Sequence, residues 1–350
     1  MSIITLALTL SLASLSPGTR IDEGAAARPR CAALAAVPVC RDTPNGVVVG
    51  LTEAAVTVAA EEATVAERTW AATFGAPPTP YAVVLDQATT VEALRATGAL
   101  RVLPWISVAA RRQVMEQGVR DAVARQAPAG QADALMASAL ARAMPQIEAS
   151  LAKSTQPGVM AHELGHLWYI QAYWTDVTQA ADTYGSAAPD WLDEAAAVLM
   201  EREALTEGRR TAFHRVWAET PQADAVSGLM AEIHPAFASG ASASALTEGQ
   251  PAVSGPRVMT MSGEEFQRRT GTDINAAGAF YTRVRAMLDF IEARTGDHQA
   301  IVRLTMHLRA GGTVGNWLAQ DPAGRQLGGT VPAADAAFKA WADEATATAS

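Results

Sequence analysis

The sequence predicts an α+β protein in which a small mixed sheet, in an amino-terminal lobe, packs on a central helix and a mainly helical carboxy-terminal lobe follows. Three observations carry that expectation. The chain has 350 residues, 49% of them hydrophobic and 18% charged, which is enough apolar material for a core of two-domain size. Its strand-like apolar runs fall in the first third. Beyond them apolar residues recur at three- and four-residue spacing, as one face of a helix requires.

The elements follow in order. Residues 3–15 (IITLALTLSLASL) are a charge-free apolar run of signal-peptide length, shorter than the ~20 residues of a membrane-spanning helix. No basic residue precedes the run, so an apolar first strand or helix is the alternative. Residues 1–20 are read as an export signal and 21–45 as a linker or pro-segment, which predicts a secreted or periplasmic protein, with a cytoplasmic one as the alternative. Cys31 and Cys40 lie in this stretch. An oxidising compartment would join them as a disulfide, and a reducing one would leave two buried thiols.

Residues 47–51 (VVVGL) open the amino-terminal lobe, 46–175. An Ala-rich helical pattern over 54–74 stops at Gly75 and the PPTP turn, and 81–85 (YAVVL) reads as a strand. Residues 100–107 (LRVLPWIS) are a second strand. Pro104 confines it to an edge or a bulge, because proline has no amide hydrogen to give a ladder. Helical spacing then runs through 109–126, 131–151, 157–174, 189–203 and 277–294, with Pro and Gly punctuating between. In the helical lobe, 176–350, residues 236–257 are Ala, Ser, Gly and Pro with almost no bulky apolar side chain, and read as a long flexible insertion or lid.

Composition narrows the chemistry. A formal net charge of -9, with Lys and Arg scattered, lacks the footprint of a nucleic-acid binder. No stretch reaches the length for stable membrane insertion. Two cysteines cannot build a tetracysteine zinc site, so a metal would be held by histidine and carboxylate.

The six histidines therefore matter by spacing. Residues 157–168 read PGVMAHELGHLW. On a helix, His162 and His166 lie one turn apart on one face and can reach a single ion, while Glu163 can touch a water bound to it. A catalytic zinc takes three protein ligands and keeps a fourth position open, so a third is required. Residues 189–203 (PDWLDEAAAVLMERE) offer Glu194 on a returning helix. Two helical turns further on, Glu201 would share its face and accept a hydrogen bond from a ligand histidine. His214, His234, His298 and His307 lack such spacing and read as surface or packing residues. His234, beside the insertion, is the outside candidate for a substrate contact.

H-E-x-x-H followed by W-L-x-E-x-x-A, with an acid seven residues after the glutamate, resembles the gluzincin zinc metallopeptidases, the peptidase-MA-like group related to alanyl aminopeptidase and the thermolysin catalytic domain. The resemblance covers roughly residues 45–345. It implies a zincin-like fold, one catalytic Zn2+ on His162, His166 and Glu194, Glu163 as general base, and Glu201 as the acid behind a ligand histidine. Ala195 stands where the family has glycine, a small-for-small exchange. In residues 280–294 (FYTRVRAMLDFIEAR), Tyr281 matches a tyrosine that faces the oxyanion in the aminopeptidase branch, with Ala286, Leu288 and Ile291 at its apolar positions. A tyrosine capping a buried helix is the alternative there. Phe338 and Trp341 match a carboxy-terminal F-x-x-W. The family's amine-binding G-x-M-E-N strand is missing, so the resemblance does not extend to amino-terminal trimming. The implied reaction is hydrolysis of a peptide or protein substrate by a zinc-activated water, with an edge strand within 100–107 holding the substrate backbone. The rival reading is a catalytically silent zinc-binding module used in binding or assembly, for which an intact Glu163 has no purpose.

Overall fold

The protein is described from a computed structural model covering residues 3–4, 28–34, 36–126, 131–154, 158–174, 188–231, 261–262, 268 and 274–349. The insertion expected at 236–257, His234 and nearly all of the export signal lie outside these residues.

The fold is α+β and predominantly helical. Four strands form one mixed sheet in the order β2 (Val39–Asp42), β3 (Gly46–Gly50), β4 (Tyr81–Leu85) and β5 (Arg101–Trp105). β2 and β3 are an antiparallel hairpin, whereas β3–β4 and β4–β5 pair in parallel, with Val47 opposite Ala82 and Val83 opposite Leu103. A parallel pair needs a crossover. Helix α1 (Glu53–Phe74) supplies the first, and the short α2 (Val91–Arg95), capped by the Thr90 hydroxyl, lies in the second. β3 and β4 are buried along their whole length, as continuous apolar runs demand, and Pro104 sits in edge strand β5. At Gly46 an added Cβ would lie 2.5 Å from the Tyr81 carbonyl oxygen, so only glycine fits beside β4. A two-residue pairing of β1 (Ile3–Ile4) with β6 (Met261–Ser262) stands apart from this sheet.

Residues 39–42, expected within the linker, are strand β2 instead. The strand is half-exposed and only four residues long, so its apolar signal is weak. Cys31 and Cys40 form a disulfide that ties the preceding turn to β2, and both cysteines pack against Leu34, Val47, Val49, Ala82 and Val84.

Two compact units interleave along the chain. The first holds the sheet, α2, and the hairpin of α3 (Val108–Gln126) and α4 (Ala132–Ser154), whose own small core is Met115, Ile147 and Leu151. The second begins within α1 at Ala63 and takes in most of α5 (Val159–Tyr173) and the helices that follow. These are α6 (Asp190–Leu199), α7 (Glu203–Glu219), α8 (Ala225–Ala231), α9 (Ile274–Thr295), α10 (Ala300–Arg309), α11 (Val314–Gln320), α12 (Pro322–Gln326) and α13 (Val331–Ala349). Helix α9 is the hub of this unit and packs on α6, α7, α8, α12 and α13. Its buried face of Phe280, Val284, Met287, Phe290 and Ile291 recurs at helical spacing. Phe338 and Trp341 join Phe213, Trp217 and Phe290 in an aromatic cluster.

The single helix expected over 189–203 is broken. α6 ends at Leu199 and α7 begins at Glu203, with Arg202 extended at ψ 160°. No proline or glycine marks the break. It accompanies the burial of the Glu201 carboxylate, so Glu201 reaches inward from the turn and not from a second turn of α6.

Candidate metal centre

Every side chain of the centre comes from the second unit. Helix α5 presents His162 and His166 one turn apart, and α6 crosses close to it because residue 165 has no side chain. An added Cβ at Gly165 would stand 2.7 Å from Ala197 Cα and 3.0 Å from the Ala196 carbonyl oxygen. The facing residues Ala195, Ala196 and Ala197 are buried and small. That approach lets Glu194, near the start of α6, meet both imidazoles.

Three atoms converge. Glu194 Oε2 lies 3.4 Å from His162 Nε2 and 3.5 Å from His166 Nε2, and the two nitrogens are 3.3 Å apart. Three corners of a tetrahedron centred on an ion at ~2.0–2.1 Å from each donor are separated by about 3.3–3.4 Å. The triangle therefore has the size of one face of such a shell, and these three residues can hold a metal ion.

The imidazoles are oriented from behind. His162 Nδ1 is 2.9 Å from Glu201 Oε1, and His166 Nδ1 is 2.8 Å from Asp193 Oδ1. A carboxylate only accepts, so each Nδ1 carries a proton and donates it, which turns each Nε2 to the triangle, where a metal can take the place of a proton. Two lone pairs and a carboxylate oxygen at such distances repel unless positive charge lies among them.

The electrostatics favour that charge. Burial works against protonating His162, but hydrogen bonds to Glu194 and Glu201 and the Glu201 charge outweigh it, and the group is pushed up to about 9. His166 is likewise raised well above an ordinary histidine, against burial, by the charges of Glu194 and Asp193. Burial would lift the Glu194 carboxyl, yet the His166 charge and hydrogen bonds from both histidines hold it far below the usual carboxylate range. Glu201 is lowered too, against burial, by its bonds from Arg209 and His162.

Of the remaining sequence-predicted residues, Tyr281 touches a member of the triangle. Glu163 follows His162 on α5 and is partly exposed. The Tyr281 ring, on α9, meets the His162 imidazole edge-on, with centroids 5.6 Å apart and an interplanar angle of 82°. His214 bonds Thr346, exposed His298 pairs with Glu292, and His307 reaches the Thr313 carbonyl.

Two residues of the centre escape the sequence reading. Asp193, the partner of His166, carries one usable signal: an acid immediately before the triangle's glutamate in a helix. Arg209 carries none. It lies on α7, beyond the helix break, donates Nε to Glu201 Oε2 at 2.6 Å and Nη2 to Glu201 Oε1, and sets its guanidinium 4.8 Å from the Tyr281 ring centroid.

Comparisons with known protein families, with curated proteins and with solved structures find no match to this chain.

Proposed function

We propose that the protein is a zinc-dependent peptidase of gluzincin type, working on peptide or protein substrates outside the cytoplasm. The observation that carries this reading is the triangle of two imidazole nitrogens and one carboxylate oxygen, 3.3–3.5 Å on a side, with Glu163 next to a ligand on the same helix. Two histidines and one glutamate are a donor set suited to zinc. Among the described residues three donors converge, which matches a site that keeps a position open for chemistry. The disulfide supports an oxidising compartment, and among the described residues no helix is long and apolar enough to cross a membrane.

A zinc ion on these donors supplies a Lewis acid for the scissile carbonyl and makes a water acidic near neutral pH. The chain's own groups do the rest. Glu163 accepts the proton that the attacking water gives up and passes it to the departing amine nitrogen. Tyr281, whose ring meets His162, donates its phenol hydrogen to the oxyanion. Glu201 and Asp193 hold the ligand imidazoles in the tautomer that coordinates.

The test is Glu163→Gln, with zinc content measured by elemental analysis and cleavage of a mixed peptide library by mass spectrometry, with and without a chelator. The variant is expected to keep one zinc per chain while cleavage falls by ~100- to 10,000-fold. A variant as active as the parent overturns the assignment. Stoichiometric zinc with no cleavage by the parent supports the silent-module reading instead.

A further inference from the structure

We propose that Arg209 is a positioning residue of this centre, setting the place of a metal-ligand imidazole and of the Tyr281 phenol through one guanidinium. The proposal rests on the zinc reading above.

Four side chains close a ring: His162 bonds Glu201, Glu201 bonds Arg209, Arg209 covers Tyr281, and Tyr281 meets His162 again. They come from four separate places in the unit: α5, the turn after α6, α7 and α9. Glu201 is the pivot. Its side chain is fully enclosed at 0% exposure, and one carboxylate serves both the imidazole and the guanidinium. With a metal on Nε2 the His162 imidazole is neutral, and an enclosed carboxylate bonded to it alone would have no charged partner in contact, which is costly. The forked guanidinium provides that charge and, by bonding both oxygens, fixes the carboxylate plane. With the plane so held, Oε1 stands 2.9 Å from His162 Nδ1.

While the guanidinium grips Glu201, its central carbon lies over the Tyr281 ring, 4.8 Å from the centroid. Lysine can offer a charge to one or the other, but not a fork and a face together. Nor can the neighbour substitute. Arg210 is committed to Asp289, with bonds of 2.9 Å from Nε and Nη2, and Arg285 shares that acid. Metal site and phenol are thus held in register by a residue that touches neither the metal position nor the substrate.

The test compares the parent with Arg209→Lys, Arg209→Ala and Glu201→Gln in the full chain, after circular dichroism and thermal melts establish which variants fold. Zinc affinity is read by competition with a chromophoric chelator, coordination by the visible spectrum of the Co2+-loaded protein, and turnover by kcat and KM. Arg209→Lys is expected to weaken zinc by ~10- to 100-fold, the cost of losing an outer partner of a ligand, and to lower kcat more than it raises KM. Added methylguanidinium should restore the Co2+ spectrum of Arg209→Ala and leave Glu201→Gln unchanged. If Arg209→Ala does not fold, the Arg209→Lys and Glu201→Gln pair decides, since losses that are not additive in the double variant support a shared path. Parent-like zinc affinity and Co2+ spectrum in Arg209→Lys, or fully additive losses, overturn the proposal. A parent that binds no zinc overturns the zinc reading itself.

Discussion

The four-stranded sheet and the candidate metal centre bury opposite kinds of matter. β3 and β4 enclose Val47, Val48, Val49, Ala82, Val83 and Val84 and rely on removing apolar surface from water. The centre gathers His162, His166, Asp193, Glu194, Glu201 and Arg209, with Glu201 bonding His162 and Arg209, Asp193 bonding His166, and Glu194 Oε2 turned toward both imidazoles. Apolar packing tolerates exchanges of similar volume and is indifferent to pH. A buried charged network is neither, because removing one member leaves another uncompensated. The same chain therefore holds one region specified by shape and one specified by the count and sign of its charges.

Three experiments separate the two regions further. Glu194→Ala removes one corner of the triangle, so it should cost more zinc affinity than the ~100-fold that bounds the loss of an outer partner, while the sheet persists. Elemental analysis and circular dichroism measured together check both halves, and zinc retained at parent affinity would detach Glu194 from the metal.

A smaller effect is set by pH. His162 is raised to about 9 in the folded chain from an ordinary value near ~6.5, and His166 is raised as well, so folding takes up protons here. In chelator-treated protein this share of stability is complete below about 6.5 and is lost as pH climbs through about 9. Zinc held as proposed would have to displace those protons, so its affinity should rise over the same interval. Urea melts and zinc titrations across that range report the two trends, and a chelated protein equally stable at both ends contradicts the raised values.

The smallest effect at the centre belongs to the disulfide. Replacing Cys31 and Cys40 with serine should cost the sheet unit about 2–3 kcal/mol by releasing a short closed loop. Zinc affinity should stay at the parent value, and a drop would mean that the sheet and the centre are coupled.

The sequence discloses what is local. The runs that became β3 and β4 are apolar throughout, Pro104 assigns β5 to an edge, and Gly75 ends the pattern of α1. The pairing of His162 with His166 needs only the pitch of a helix. Longer-range features were hidden for physical reasons. β2 exposes half of itself and so lacks a continuous apolar run. The break between α6 and α7 has no breaker residue, since it is linked to a carboxylate turning inward to partners on two other helices. α10 to α13 are short or Ala-rich, and their apolar residues merge into one helical texture without clear boundaries. Arg209 could be recognised only after the chain had folded.

Pro104 has one more consequence. β5 closes the described sheet on one side, and an open side is where a foreign strand can be recruited and stacking can continue without limit. A proline there removes one rung from any such ladder. Arg101, at the start of the same strand, would set a charge against the like charge of an identical copy in register. The residue that marks the strand as outermost therefore also weakens any ladder that a second copy could build on that side.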